Sequence, residues 1–118
     1  MLEESKMYRL HDLCLYIYLF TGPPAIRETP SDLSLLEGST ATFTCIAEAR
    51  PLHTAAWEFE GMALTSSEKY TIHGIGTATS TLNIHNVSLS DTGQYICITS
   101  NNHGNESATA QLHVYSKV

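Results

Sequence analysis

The sequence predicts an all-β chain folded as a two-sheet antiparallel sandwich. Apolar and polar residues alternate in short runs, which sets one face of each run toward a core and the other toward water. Turn-forming residues divide those runs at intervals of about 8 to 12 residues, the spacing of a sandwich rather than of βαβ units. No stretch between residues 23 and 114 carries the three-to-four spacing of an amphipathic helix. With 118 residues and 42% hydrophobic content, the chain can build one small core but not two.

The elements follow in order. A first strand at 25–29 breaks at Pro30, because proline lacks the N–H that a ladder needs and belongs at edges. Residues 32–36 form a second short strand, and Glu37-Gly38 turns the chain. In the third strand Ala41, Phe43, Cys45 and Ala47 share the core face, while Thr40, Thr42, Thr44 and Ile46 share the outer one. The fourth puts Ala55, Trp57 and Phe59 inward, Glu60-Gly61 turns, and Leu64 opens a short edge segment. Strands at 70–75 and 79–84 follow, joined through Gly76-Thr77, with Leu82 and Ile84 directed to the core. Residues 86–92 cross between sheets: Val87 tucks under, the Asp91 carboxylate accepts from nearby loop amides, and Gly93 relieves crowding beside it. The last two strands carry Tyr95, Cys97 and Thr99, then Ala108, Ala110, Leu112 and Val114, inward. Tyr95 is then a core ring whose hydroxyl needs a backbone partner.

The run Asp91-Thr-Gly93-Gln-Tyr95-Ile-Cys97, preceded by Cys45 and Trp57, resembles the immunoglobulin domains. The likeness is greatest to the intermediate (I-set) class of adhesion and receptor proteins and of titin-like muscle proteins. It extends over residues 23 to 114, through Pro30, Glu37-Gly38, Pro51, Gly61, Val87 and Asn101. Ala49, Phe59 and Thr99 depart from the glycine, basic residue and alanine that I-set domains often carry there. The resemblance implies an I-set Greek-key sandwich with a Cys45–Cys97 bridge between its sheets. It also implies a core framework of Trp57, Leu82, Asp91 and Tyr95, with Tyr95 at the tyrosine corner. Such a bridge closes a loop long enough to stabilise by about 4 kcal/mol in the chain-entropy model. In a reducing cytosol the same thiols would stay apart as small buried hydrophobes.

The expected organisation is an N-terminal extension at 1–22, the domain at 23–115 and a short tail at 116–118. Leu13 to Phe20 is an apolar run too short to span a bilayer, so no transmembrane segment is expected. Its length suits a secretion leader, but Glu3, Glu4 and Asp12 spoil the positive flank and no small-x-small cleavage site follows. The alternative is a linker, disordered in isolation because nothing buries the run. Cys14 is left over from the pairing.

A net charge of −6 argues against nucleic acid, whose binders gather lysine and arginine on one face. No nucleophile elbow, zinc-protease helix, phosphate loop or C-x-x-C motif occurs, so no catalysis, cofactor or small-molecule substrate is expected. His53 and His103 fall at one pole of such a sandwich, but two ligands rarely hold zinc. His73, His85 and His113 take outward positions and should face solvent. Asn86-Val-Ser88 and Asn105-Glu-Ser107 are glycosylation acceptor sequences, both expected in exposed turns.

What remains for recognition is the outer face of the strands bearing Trp57, Tyr95 and Ala110, with the loop from Asn101 through Asn102, His103 and Gly104 to Asn105. Ile46, Glu58, Glu60, Ile98 and Ser100 point out of the alternation there. The expected partner is another protein, including another immunoglobulin domain in like or unlike pairing. The extracellular space or cell surface is the expected location, and a cytoplasmic, cytoskeletal role as a spacing module is the alternative.

Overall fold

A computed structural model of the chain describes residues 22–48, 54–74 and 78–117. Among the described residues nine strands form two sheets: β1 (Ala25–Glu28), β2 (Leu33–Leu36), β3 (Ala41–Glu48), β4 (Thr54–Phe59), β5 (Met62–Ala63), β6 (Tyr70–His73), β7 (Thr79–Ile84), β8 (Gly93–Asn101) and β9 (Gly104–Tyr115). One sheet has the order β1-β3-β7-β6, the other β2-β9-β8-β4-β5. All pairings are antiparallel except β2 with β9, which runs parallel. That pairing follows from Pro30: the chain leaves β1 in one sheet, breaks at the proline and rejoins the other sheet beside β9.

Strict alternation puts Ala41, Phe43, Cys45 and Ala47 of β3 in the core, and Ala110, Leu112 and Val114 of β9 opposite them. Trp57, Leu82, Ile84 and Tyr95 have no exposed surface. The rings form a chain through the centre: Phe43 lies 6.4 Å from Trp57 and 5.3 Å from Tyr95, and Phe59 stacks on Tyr95 at 4.5 Å. Such tilted and offset pairs add to the burial of the rings themselves. Phe59 is only half-buried because it ends β4 at the rim.

Glu60 and Gly61 have φ of 49° and 85°. Two successive left-handed residues make the mirror-image turn that suits a twisted hairpin, which explains the glycine. The edge segment expected to open at Leu64 lies earlier: β5 is Met62–Ala63, and Leu64 follows it outside the strand, its N–H returning to the Trp57 carbonyl. Gly93 does relieve crowding, but its neighbours differ from those expected. A Cβ there would meet the Phe59 ring at 2.8 Å and the Glu60 carboxylate, so the tight approach is to the β4–β5 turn rather than to Asp91.

Several expectations are corrected. His85 is half-buried, with Nε2 at 2.7 Å from Thr71 Oγ1, whereas His73 and His113 are exposed. The loop predicted at 101–105 is only Asn102-His103, because the β8–β9 ladder runs to the Asn101–Gly104 pair. Asn105 therefore lies in a strand, not a turn, although it is exposed. Ile46 belongs to β3 in the four-stranded sheet and cannot share a face with Ile98. The Gly76-Thr77 hairpin, Ile75, Ala49, Pro51, His53, Cys14 and most of the 1–22 extension lie outside the described residues.

Candidate functional site: the outer face of the five-stranded sheet

Behind the face lies a cross-linked seam. Cys45 of β3 and Cys97 of β8 are joined by a disulfide with Cα atoms 6.5 Å apart and a sequence separation of 52. Trp57 stands opposite Cys97 in the β4–β8 register, so the indole packs on the bridge from within the same sheet. Its Nε1–H donates to Ser80 Oγ at 2.9 Å, and Ser80 is itself buried on β7. A buried indole needs such a partner. Ser80 was not read from the sequence, where it was one serine among many.

At the end nearest residue 91, a 3₁₀ turn (Leu89–Asp91) leads into β8. Asp91 is buried, and its Oδ2 accepts from the Ser88 N–H at 2.8 Å and from Lys69 Nζ at 2.7 Å. Ser88 Oγ also reaches it at 3.3 Å. Lys69 covers the carboxylate from the strand side and also donates to the Asn86 carbonyl at 3.2 Å. A buried charge requires this company. Tyr95 Oη donates to the Asp91 carbonyl at 2.7 Å. Burial first, then the Asp91 carboxylate, Tyr70 and Glu60, push the Tyr95 phenol far above its usual pKa. Tyr70 moves the same way, again chiefly by burial, with Lys69 opposing.

The outer face of the sheet is built in cross-strand rows. Ala56, Ile98 and Ser107 form one row, Glu58, Ile96 and Thr109 the next, and Thr54, Ser100 and Asn105 a third toward the hairpin. Ile96 and Ile98 are half-buried between their neighbours. Glu58 is the only charged residue in these rows, so the face offers shape and neutral hydrogen bonds rather than a strong field. Ile96 was missed as a partner of Ile98, although both stand on the same side of the period-two pattern.

The four candidate contact residues separate into two kinds. Ile98 lies on the face, and Asn102 and His103 form the exposed hairpin tip. Asn101 is structural: its Nδ2 donates to the Gly22 carbonyl at 2.7 Å, and its Oδ1 accepts from the His103 N–H at 2.8 Å. It pins the hairpin and the incoming chain together. The two acceptor asparagines lie at opposite ends. Asn86, with φ of 51°, sits beside the Asp91 corner, and its Ser88 hydroxyl is engaged by Asp91 and Ser90. Asn105 stands on the outer face near the hairpin, with Ser107 exposed two residues on. Among the described residues no group of three or more His, Cys, Asp or Glu could hold a metal. No described helix is long and apolar enough to cross a membrane.

Comparison with known proteins agrees with this geometry. Human hemicentin-1 is 36% identical over 114 residues, which is 95% of this chain and 2% of hemicentin-1. Human leucine-rich repeat-containing protein 4C is 35% identical over 97 residues, covering 82% of this chain and 15% of that protein. The chain thus spans a small part of these relatives. Among solved structures, a titin–obscurin-like immunoglobulin complex superposes with a TM-score of 0.77 at 26% identity, over 82% of this chain and 97% of the matched one. An I-band fragment of titin gives 0.77 at 28% identity, over 81% and 34%. The immunoglobulin I-set pattern matches residues 24–114, and the chain belongs to the immunoglobulin I-set domain family.

Proposed function

We propose that this domain is a non-catalytic protein-binding module, one unit of a longer protein that works outside the cell or on its surface. The observation that carries the reading is the outer face centred on Ile96 and Ile98, whose rows hold the single charged residue Glu58, backed by the cross-linked seam behind it. A sheet whose core side is fixed by a disulfide, an indole and three further rings presents its outer side without rearrangement, which lowers the ordering cost of docking. The partner is another protein, such as a second immunoglobulin domain, that meets Ile98, Asn102 and His103. The bridge between Cys45 and Cys97 supports an oxidising compartment. There, Asn86 or Asn105 would carry an N-linked glycan, and secreted material whose mobility deglycosylation leaves unchanged would count against this.

Photocrosslinking from position 98 in the native cell tests the face. Adducts from position 98 that are absent from position 83, on the opposite sheet, support it; equal yields from both overturn it. The alternative is an intracellular spacing module of a cytoskeletal protein, favoured by the superposition on titin domains. Counting free thiols in the chain taken from its own compartment separates the two. One free thiol fits the extracellular module, and three fit the cytoskeletal one.

A further inference from the structure

Among the described residues, the outer edge of β9 is unlike the other strand edges. Exposed strand edges offer unpaired backbone groups to other chains, and proteins blunt them by shortness, lysine, proline or a bulge. Here β1, β2 and β6 have 4 residues each and β5 has 2, and β1 is also irregular between Ile26 and Glu28. β9 has 12 residues, and β2 covers only Leu112 to Tyr115. From Gly104 to Gln111 the strand contains no lysine, arginine or proline, and its one charged side chain, Glu106, accepts from the Ile26 N–H at 2.6 Å.

The direction of its backbone groups follows from the ladder. The Glu60 N–H donates to the Gln94 carbonyl, so even-numbered residues of β8 face β4 and odd-numbered ones face β9. Their partners on β9 are even-numbered, which leaves the odd-numbered residues facing the edge. The Gln111 N–H, bound by Asp32 Oδ1, and the Tyr115 carbonyl, bound by the Glu37 N–H, agree. Asn105, Ser107 and Thr109 therefore aim their N–H and C=O groups at an edge where no described residue pairs with them. The same three side chains are exposed.

Two copies can meet there about a two-fold axis. With Ser107 opposite Ser107 and Asn105 opposite Thr109, three pairs would each exchange two bonds, about six in all. The acceptor sequence Asn105-Glu-Ser107 lies on that stretch. We propose that Asn105 is an N-glycosylation site whose oligosaccharide guards the β9 edge against pairing with a second copy of this chain. The proposal rests on the extracellular reading above. In the transfer, Asn105 Nδ2 bonds to C1 of the oligosaccharide on a lipid pyrophosphate donor. The C1–O bond breaks, the lipid pyrophosphate leaves with its electron pair, and Nδ2 loses one proton.

The test places the full chain behind a cleavable secretion signal in animal cells, so that its native location does not affect the result. Mass spectrometry of the secreted, folded chain should find glycan on Asn105, and light scattering should find a monomer. N105Q should associate with rising concentration to roughly twice the monomer mass. Ser107→Pro in the N105Q background should return it to monomer, because that N–H faces the edge and not β8. Asn105 found unmodified, N105Q remaining monomeric, or association indifferent to Ser107→Pro would each overturn the proposal. Three free thiols in the native compartment would instead refute the extracellular reading, whatever this experiment gives.

Discussion

The two ends of the sandwich are built on opposite plans. At the corner around Asp91, a buried carboxylate, Lys69, the Ser88 backbone and the Tyr95 hydroxyl satisfy one another within a few ångströms. At the hairpin end, Asn102 and His103 are exposed, the Asn101 amide donates to the Gly22 carbonyl, and the Ile26 N–H of the incoming chain donates to Glu106 Oε1 at 2.6 Å. Asp91, Gly93 and Tyr95 of the family-like run lie at the first end, where exchanging Asp91 disturbs several partners. Among the described residues, the side chains of Asn102 and His103 at the second end bear no hydrogen bond. Each end also carries an acceptor asparagine: the hydroxyl of Ser88 is committed to the corner, whereas Ser107 stands exposed on an open strand.

Breaking the seam that both ends share should have the largest effect. Replacing Cys45 and Cys97 together by alanine should lower the unfolding free energy by about 4 kcal/mol, read as a lower urea midpoint with a steeper slope, because the unbridged unfolded chain exposes more surface. If the ends differ as described, amide exchange in this variant should rise first at the hairpin and last at the corner. Asp91→Ala comes next, at about 2 kcal/mol, because it orphans the Ser88 N–H and removes the counter-charge of Lys69. Urea titration measures it, and a loss no larger than that of a hairpin substitution would erase the contrast.

Tyr95→Phe should cost about 1 kcal/mol at neutral pH, the usual net worth of one hydrogen bond. Its pH dependence is more telling. A phenol ionises near pH 10 when unfolded, and the folded protein holds this one above that value. The unfolded chain therefore releases its proton first. Stability from this group is complete below about pH 10 and falls as pH rises toward the folded value. Phenylalanine cannot lose it, so the gap between wild type and variant should narrow as urea titrations move from pH 7 to pH 11. A constant gap would mean that the hydroxyl is not held neutral at the corner.

Period-two alternation made the interior legible. Which residues of β3, β4, β8 and β9 face inward follows from their order alone, and Cys45, Trp57, Tyr95 and Leu112 needed nothing more. Alternation distinguishes inside from outside but not one sheet from the other, which is why Ile46 was placed with Ile98. Lys69 was illegible because it reaches Asp91 only through the docking of β6 beside β7, a tertiary outcome. Gly93 was recognised as a position that forbids a side chain, but its neighbour was misjudged, since Phe59 and Glu60 arrive from another strand. The hairpin was read as too long because Asn101 through Asn105 are mostly turn formers. Cross-strand pairing outweighed that preference and extended the ladder to Gly104.

The smallest expected effect on stability belongs to the hairpin tip. Asn102→Ala and His103→Ala remove side chains that are exposed and bear no hydrogen bond of their own among the described contacts, since the His103 contact to Asn101 uses its backbone N–H. Surface changes of this kind usually fall within about 0.5 kcal/mol. Asn101→Ala, one position earlier, should cost about 1 kcal/mol or more because both ends of its amide hold backbone groups. The step between neighbouring residues is the informative quantity. If urea titration finds Asn102→Ala and His103→Ala as costly as the loss expected for Asn101→Ala, the tip is not free, and the case for recognition through Asn102 and His103 fails with it. If the step is present, a loss of partner crosslinking in Asn102→Ala or His103→Ala reports contact rather than unfolding, which no substitution at the corner could establish.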